Sequence, residues 1–96
     1  MAKSIIKHNS NECYICHKNG GIWGLDTHHV YFGAYRNKSE KYGLKVPLCH
    51  DSCHLNGVHK NHKLDLALKQ HIQKIAMRHY GWDVKRFIEI FGKNYL

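Results

Sequence analysis

The chain has 96 residues, enough for one small domain with a modest core, and domains of this size often lean on a metal or on disulfides. Its 43% hydrophobic and 11% aromatic content exclude a disordered chain, and no apolar run approaches the ~20 residues that span a bilayer. Lysine and arginine number 15 against 7 acids, a formal charge of +8 that suits nucleic acid or an anionic lipid surface, with nucleic acid favoured.

From the start, "MAKSIIKHNS" is expected to be a loose arm over residues 1–10. It has no h-region, which points to a reducing cytoplasm, where four cysteines bind zinc more often than they pair as disulfides. "CYICHKNGG" reads as a knuckle followed by a Gly-Gly turn. "IWGLDTHHVYF" carries β-formers on both sides of Gly24 and predicts an extended strand. "GAYRNKSEKYG" predicts a loop or short helical turn, and "LKVPLC" a short strand ending at Cys49. The period then changes. Leu64, Leu68, Ile72, Ile75 and Ala76 recur at three- and four-residue spacing, which predicts a helix of roughly 18 residues capped by Asn61 and stopped at Gly81. A second helix should start near Asp83, carry Val84, Phe87, Ile88 and Phe91 on one face, and stop at Gly92. This order of elements is an α+β domain.

Metal ligands concentrate between these elements. Cys13-x-x-Cys16 lets two thiolates from one turn share a tetrahedral ion, and Cys49 and Cys53 supply a second pair. The four predict one structural Zn2+, with His50 or His54 as alternatives to Cys53 because the second spacing, C-x3-C, is one residue longer than the commonest form. His28 and His29 are neighbours on a predicted strand and point to opposite faces, so one of them can face an ion directly. His54 and His59 follow the second cysteine pair, with Gly57 between them to allow a tight turn. Three neutral imidazoles suit a divalent transition ion and leave a position open for water or phosphate. The remaining histidine of the pair could take a proton from water near neutral pH. That arrangement is a hydrolase.

These residues resemble the HNH nucleases, whose active site is a ββα-metal fold. "DTHHV" is similar to the family's acidic-x-His-His strand, "VPLCHDSCH" to its Leu-Cys-x-x-Cys-His segment, and "CYIC" to the zinc knuckle of many members. The likeness runs from Cys13 to about His62, and its wider pattern looks like small HNH proteins of bacteriophages and prophages. Among named groups, the phage recombination-enhancement, recombinase-dependent nucleases share the His-His, Pro-Leu-Cys, Val-His layout. The resemblance implies a metal-dependent DNA endonuclease in the cytoplasm of a bacterial host, with DNA and a recombinase filament as partners and no membrane. It makes His29 the general base. His28, His54 and His59 become the ligands of a catalytic Mg2+, Mn2+, Ni2+ or Zn2+, and Asp26 an acid that orients a histidine.

Two positions depart from the family. Members commonly carry an asparagine just before the second strand, where this chain has Leu44, and Asn37, Asn56 and Asn61 are the candidates to replace it. The spacing from His54 to His59 is five, against four in colicin-type DNases, with His62 as a reserve ligand. Arg36 and Lys38 follow the His-His strand and are expected near a bound phosphate. His8, His17, His71 and His79 read as ordinary surface or helix residues, and His50 as a solvated neighbour of a zinc thiolate. Trp23, Trp82, Phe87 and Phe91 read as core, while Tyr31 and Tyr35 flank the site. The expected organisation is therefore a single domain: an arm over 1–10, a zinc-knuckle-stabilised ββα-metal core over 11–62, and two helices over 63–96. The alternatives are a catalytically silent zinc module that binds DNA or protein, and a scaffold with two structural zincs.

Overall fold

The computed structural model describes residues 4–9 and 11–96, apart from the side chain of Trp23. Residues 1–3 and 10 of the expected arm, and the core position expected of Trp23, lie outside the described residues. Two strands, β1 (Leu25–His29) and β2 (Lys45–Cys49), pair antiparallel with Leu25 opposite Cys49 and His29 opposite Lys45. β1 is shorter than the extended run over 22–32 that the β-formers predict. Gly24 sits at φ 73, where a strand residue cannot, and Gly21–Trp23 form a 3-10 turn ahead of it. Beyond His29, Val30 and Tyr31 leave the sheet and enter the core.

A 3-10 turn (Gly33–Tyr35) runs into a short helix, α1 (Arg36–Lys41), so the polar connection is helical rather than open. Buried Ser39 fastens it to the sheet, donating to the Leu44 carbonyl at 2.5 Å and accepting from the Tyr31 N–H at 3.4 Å. After β2 the chain winds into a π-helix, His50–Val58, that packs on both β2 and the following helix. Its wider turn shows in the bond from His59 N–H to the His54 carbonyl, five residues back, at 3.2 Å. Gly57 is not the tight turn expected of it. A Cβ there would meet the Ser52 carbonyl oxygen at 3.0 Å and the Leu64 side chain at 3.4 Å, so its smallness permits close packing.

Two helices complete the domain, with the limits that capping chemistry suggests. In α2 (His62–Tyr80) the Asn61 side chain accepts from Leu64 N–H, and Gly81 closes the other end at φ 70. In α3 (Val84–Phe91) Asp83 accepts from Arg86 N–H, and Gly92 stops the helix. Leu68, Ile72 and Ala76 of α2 are buried as their spacing requires. The buried face of α3 is rotated from the expected one. Phe87, Ile90 and Phe91 are inside, while Val84 and Ile88 are exposed. Tyr31 anchors this core at 1% exposure, packed against Phe87, Phe91 and Tyr95 and donating to the Lys69 carbonyl at 2.7 Å. It is a core residue, not a flank of the site. The C-terminal tail is held on α2, where Gln73 accepts from Tyr95 N–H and Gln70 donates to the Tyr95 carbonyl.

The described part of the arm is docked rather than loose. Ile5 N–H donates to the Gly43 carbonyl, Ser4 Oγ to the Lys45 carbonyl, and Ile6 is buried. Among the described residues, no helix is long and apolar enough to cross a membrane.

Gly92 offers a direct test of the packing of α3. It lies at φ 84, and a Cβ added there would come 2.2 Å from the Tyr35 hydroxyl. Gly92→Ala should therefore cost at least the ~1–2 kcal/mol of a left-handed L-residue, measured as a lowered midpoint of urea unfolding.

Candidate metal centres

The four cysteines converge from both halves of the zinc-ligand stretch. Their sulfurs lie within 4.8 Å of one another, Cys53 included, and Cys16 Sγ is 3.3 Å from Cys49 Sγ. Thiolates on a tetrahedral zinc, at Zn–S distances of about 2.3 Å, would sit about 3.8 Å apart. The knuckle is closed by His17 in the left-handed region (φ 64), whose N–H donates to the Cys13 carbonyl. Ile15 and Cys16 N–H groups donate to Cys13 Sγ at 3.4 and 3.5 Å.

These surroundings sort the thiols. Burial pushes Cys13 up, but hydrogen bonds from the backbone of Cys16, Cys49 and Ile15 and from Cys53 bring it down to about 6. Cys53 is pushed up to about 12 by burial, and further by its Cys13 and Cys16 neighbours. A cluster in which ionising one thiol opposes the next is the chemistry a divalent cation resolves. The four cysteines can hold zinc.

A second group forms from His28, His54 and His59, whose ring nitrogens also lie within 4.8 Å of one another. His28 Nε2 is buried and has no hydrogen-bond partner among the described residues. Burial, then the imidazoles of His54 and His59, press the His28 proton affinity down to about 3, so the ring is neutral and its lone pair available. His54 Nε2 and His59 Nε2 are 3.0 Å apart, near the ~3.3 Å of two imidazoles on one zinc. The five-residue bond of the π-helix brings these two rings together, tilted at 56° with centroids 4.6 Å apart, although their spacing is one longer than an α-helix would need.

Asp26 orients this group. Its Oδ2 accepts from His54 Nδ1 at 2.8 Å and from His50 Nδ1 at 2.6 Å. Burial works against the Asp26 carboxylate, yet the bonds from His54 and His50 hold it below the usual range. An ionised carboxylate only accepts, so His54 carries its proton on Nδ1 and presents the Nε2 lone pair. His50, expected to be merely solvated, is thus bound to Asp26.

The adjacent histidines separate as a strand dictates. His28 joins the triad and His29 does not, though both line one open cleft of about 260 Å³ with Thr27, Phe32, Arg36, His54 and His59. Arg36 is at the cleft. Lys38 is turned away, donating to the Ile90 carbonyl at 2.9 Å in the last turn of α3. His62 lines an adjoining cleft with Phe32, His59, Lys60, Asp65 and Lys69 and stands outside the triad.

Sequence reasoning missed Glu40, whose Oε1 is 3.1 Å from His29 Nε2. A glutamate in a basic, polar connection gives no periodic signal, and only the fold of α1 carries it to the strand. None of the three candidate asparagines holds that place. Asn56 is bonded to Asp51 and Lys60, Asn61 caps α2, and Asn37 is exposed on α1. Leu44 itself is core.

Comparison with family models, with curated proteins and with solved structures returned no match.

Two substitutions separate the centres. Cys53→Ala leaves three thiols, and zinc contributes roughly 10 kcal/mol or more in small domains. The variant should lose its tightly bound zinc and its thermal transition together, as read by metal analysis and melting. Asp26→Asn should instead keep that zinc and the melting temperature while its affinity for a second ion falls about 10–100-fold, measured by calorimetric titration.

Proposed function

We propose that the protein is a metal-dependent DNA endonuclease of HNH type, with one structural zinc and one divalent ion in the cleft. The observation that carries this reading is the buried, unpartnered His28 Nε2 facing His54 and His59, beside a histidine that stays outside the group. The motifs around "DTHHV" and "VPLCHDSCH" support it, as does a net charge of +8.

Cys13, Cys16, Cys49 and Cys53 hold the structural zinc. His28, His54 and His59 would hold the second ion, which would supply positive charge against the negative charge that builds up in phosphodiester hydrolysis. His29 accepts a proton from a water in the cleft. That water's oxygen forms a bond to the scissile phosphorus, and the opposite P–O bond breaks with its electron pair going to the 3′ oxygen. Solvent protonates that oxygen, giving a 5′-phosphate and a 3′-hydroxyl. Arg36, which lines the cleft, binds and orients the phosphate. Phage or prophage origin, a bacterial cytoplasm and a recombinase filament as a partner rest on the motif layout alone.

His29→Ala tests the enzyme directly. It should retain both ions, its melting temperature and its DNA affinity while nicking falls ~10²–10⁴-fold. His28→Ala, His54→Ala and His59→Ala should lose the second ion and recover part of their activity in excess metal. A wild type that nicks no DNA with any divalent ion, alone or with a recombinase filament, would leave a zinc-bearing binding module.

The DNA contact has its own signature. Arg36→Ala should flatten the slope of log affinity against log salt by about one unit. Lys38→Ala should leave the slope unchanged, because its ammonium is held by α3. Equal slopes for wild type and Arg36→Ala would remove the arginine from the interface.

A further inference from the structure

His29 and Lys45 are partners across the hairpin, so their side chains rise from the same face of the sheet. Glu40 meets both from α1. Its Oε1 lies 3.1 Å from His29 Nε2, and its Oε2 accepts from Lys45 Nζ. The His29 and Lys45 side chains are only 11% and 12% exposed, which fixes the carboxylate between two nearly buried nitrogens. Bonds from Lys45 and then from His29 hold the Glu40 carboxyl below the usual carboxylate range. It is therefore an acceptor on both sides.

We propose that Glu40, clamped by Lys45, is the positioning residue of His29, fixing its ring plane and drawing the ring proton to Nε2. This rests on the nuclease reading of the cleft. With Nε2–H committed to Glu40, the lone pair lies on Nδ1, the remaining nitrogen of a ring that lines the cleft. Each of the three groups has a separate place in the fold: His29 ends β1, Lys45 begins β2, and Glu40 lies in the helix between them. The device therefore forms only when the hairpin closes in this register.

The test uses the full-length, zinc-loaded protein. In the wild type, the His29 Nε2–H should give a downfield proton resonance in a ¹⁵N-labelled sample, protected from exchange by the carboxylate. Glu40→Ala should lose that resonance. Its kcat should fall roughly 10–100-fold, the range typical when a histidine loses its carboxylate partner. The loss should be equal on an oligonucleotide and on bis(p-nitrophenyl) phosphate, with KM, zinc content and melting temperature unchanged. Glu40→Gln has one accepting oxygen for two donors and would turn its amide N–H toward one of them, so it should restore neither the resonance nor the full rate. A Glu40→Ala protein that cleaves at the wild-type rate, keeps the resonance, or changes only in KM overturns the proposal. A wild type that cleaves neither diester overturns the nuclease reading instead, and the resonance alone then decides whether Glu40 holds His29.

Discussion

The structure depends on the five-residue hydrogen bonding of the π-helix His50–Val58. Cys49 precedes it and Cys53 lies within it, while His54 follows Cys53 directly and His59 caps the far end. One short segment thus feeds two ligand groups on its two sides. A π-turn is an uncommon geometry. Here it is held from both directions by packing on β2 and α2, and Gly57 lets the Ser52 carbonyl approach within the winding. Cys49 and Cys53 on one hand, and His54 and His59 on the other, thus share one winding.

Carboxylates are scarce in this chain, seven against 15 lysines and arginines, and the two nearest the cleft are both engaged by histidines. Asp26 accepts from His50 and His54, and Glu40 from His29. Negative charge is thus spent on orienting rings. Asp65 accepts from Lys69 along the adjoining cleft, at 2.9 Å.

Much of this was legible in the residues. Asn61, Gly81, Asp83 and Gly92 mark helix ends because capping is local chemistry, and the helix limits follow them within a residue or two. The four cysteines and the two groups of histidines announce themselves by residue type. What escaped was whatever depends on a partner distant in sequence. α3 turns Phe87 and Phe91 against Tyr31, and Lys38 is drawn off the cleft by an α3 carbonyl 52 residues away. The docking of Ser4–Ile6 on the Gly43–Lys45 backbone has no pattern of its own. Glu40 was hidden for the same reason, since the contact exists only once α1 folds back over the hairpin.

The winding also changes what residue spacing means. In an α-helix, side chains four apart stack; in this segment, side chains five apart do, and the His54 and His59 rings meet as closely as neighbours on one ion require. Spacing and helical pitch are thus interchangeable coordinates of a single contact. A residue can be gained or lost between two such side chains as long as the backbone rewinds to match, and the contact between them survives. A pattern that insists on four passes over chains that solve the same geometry with five.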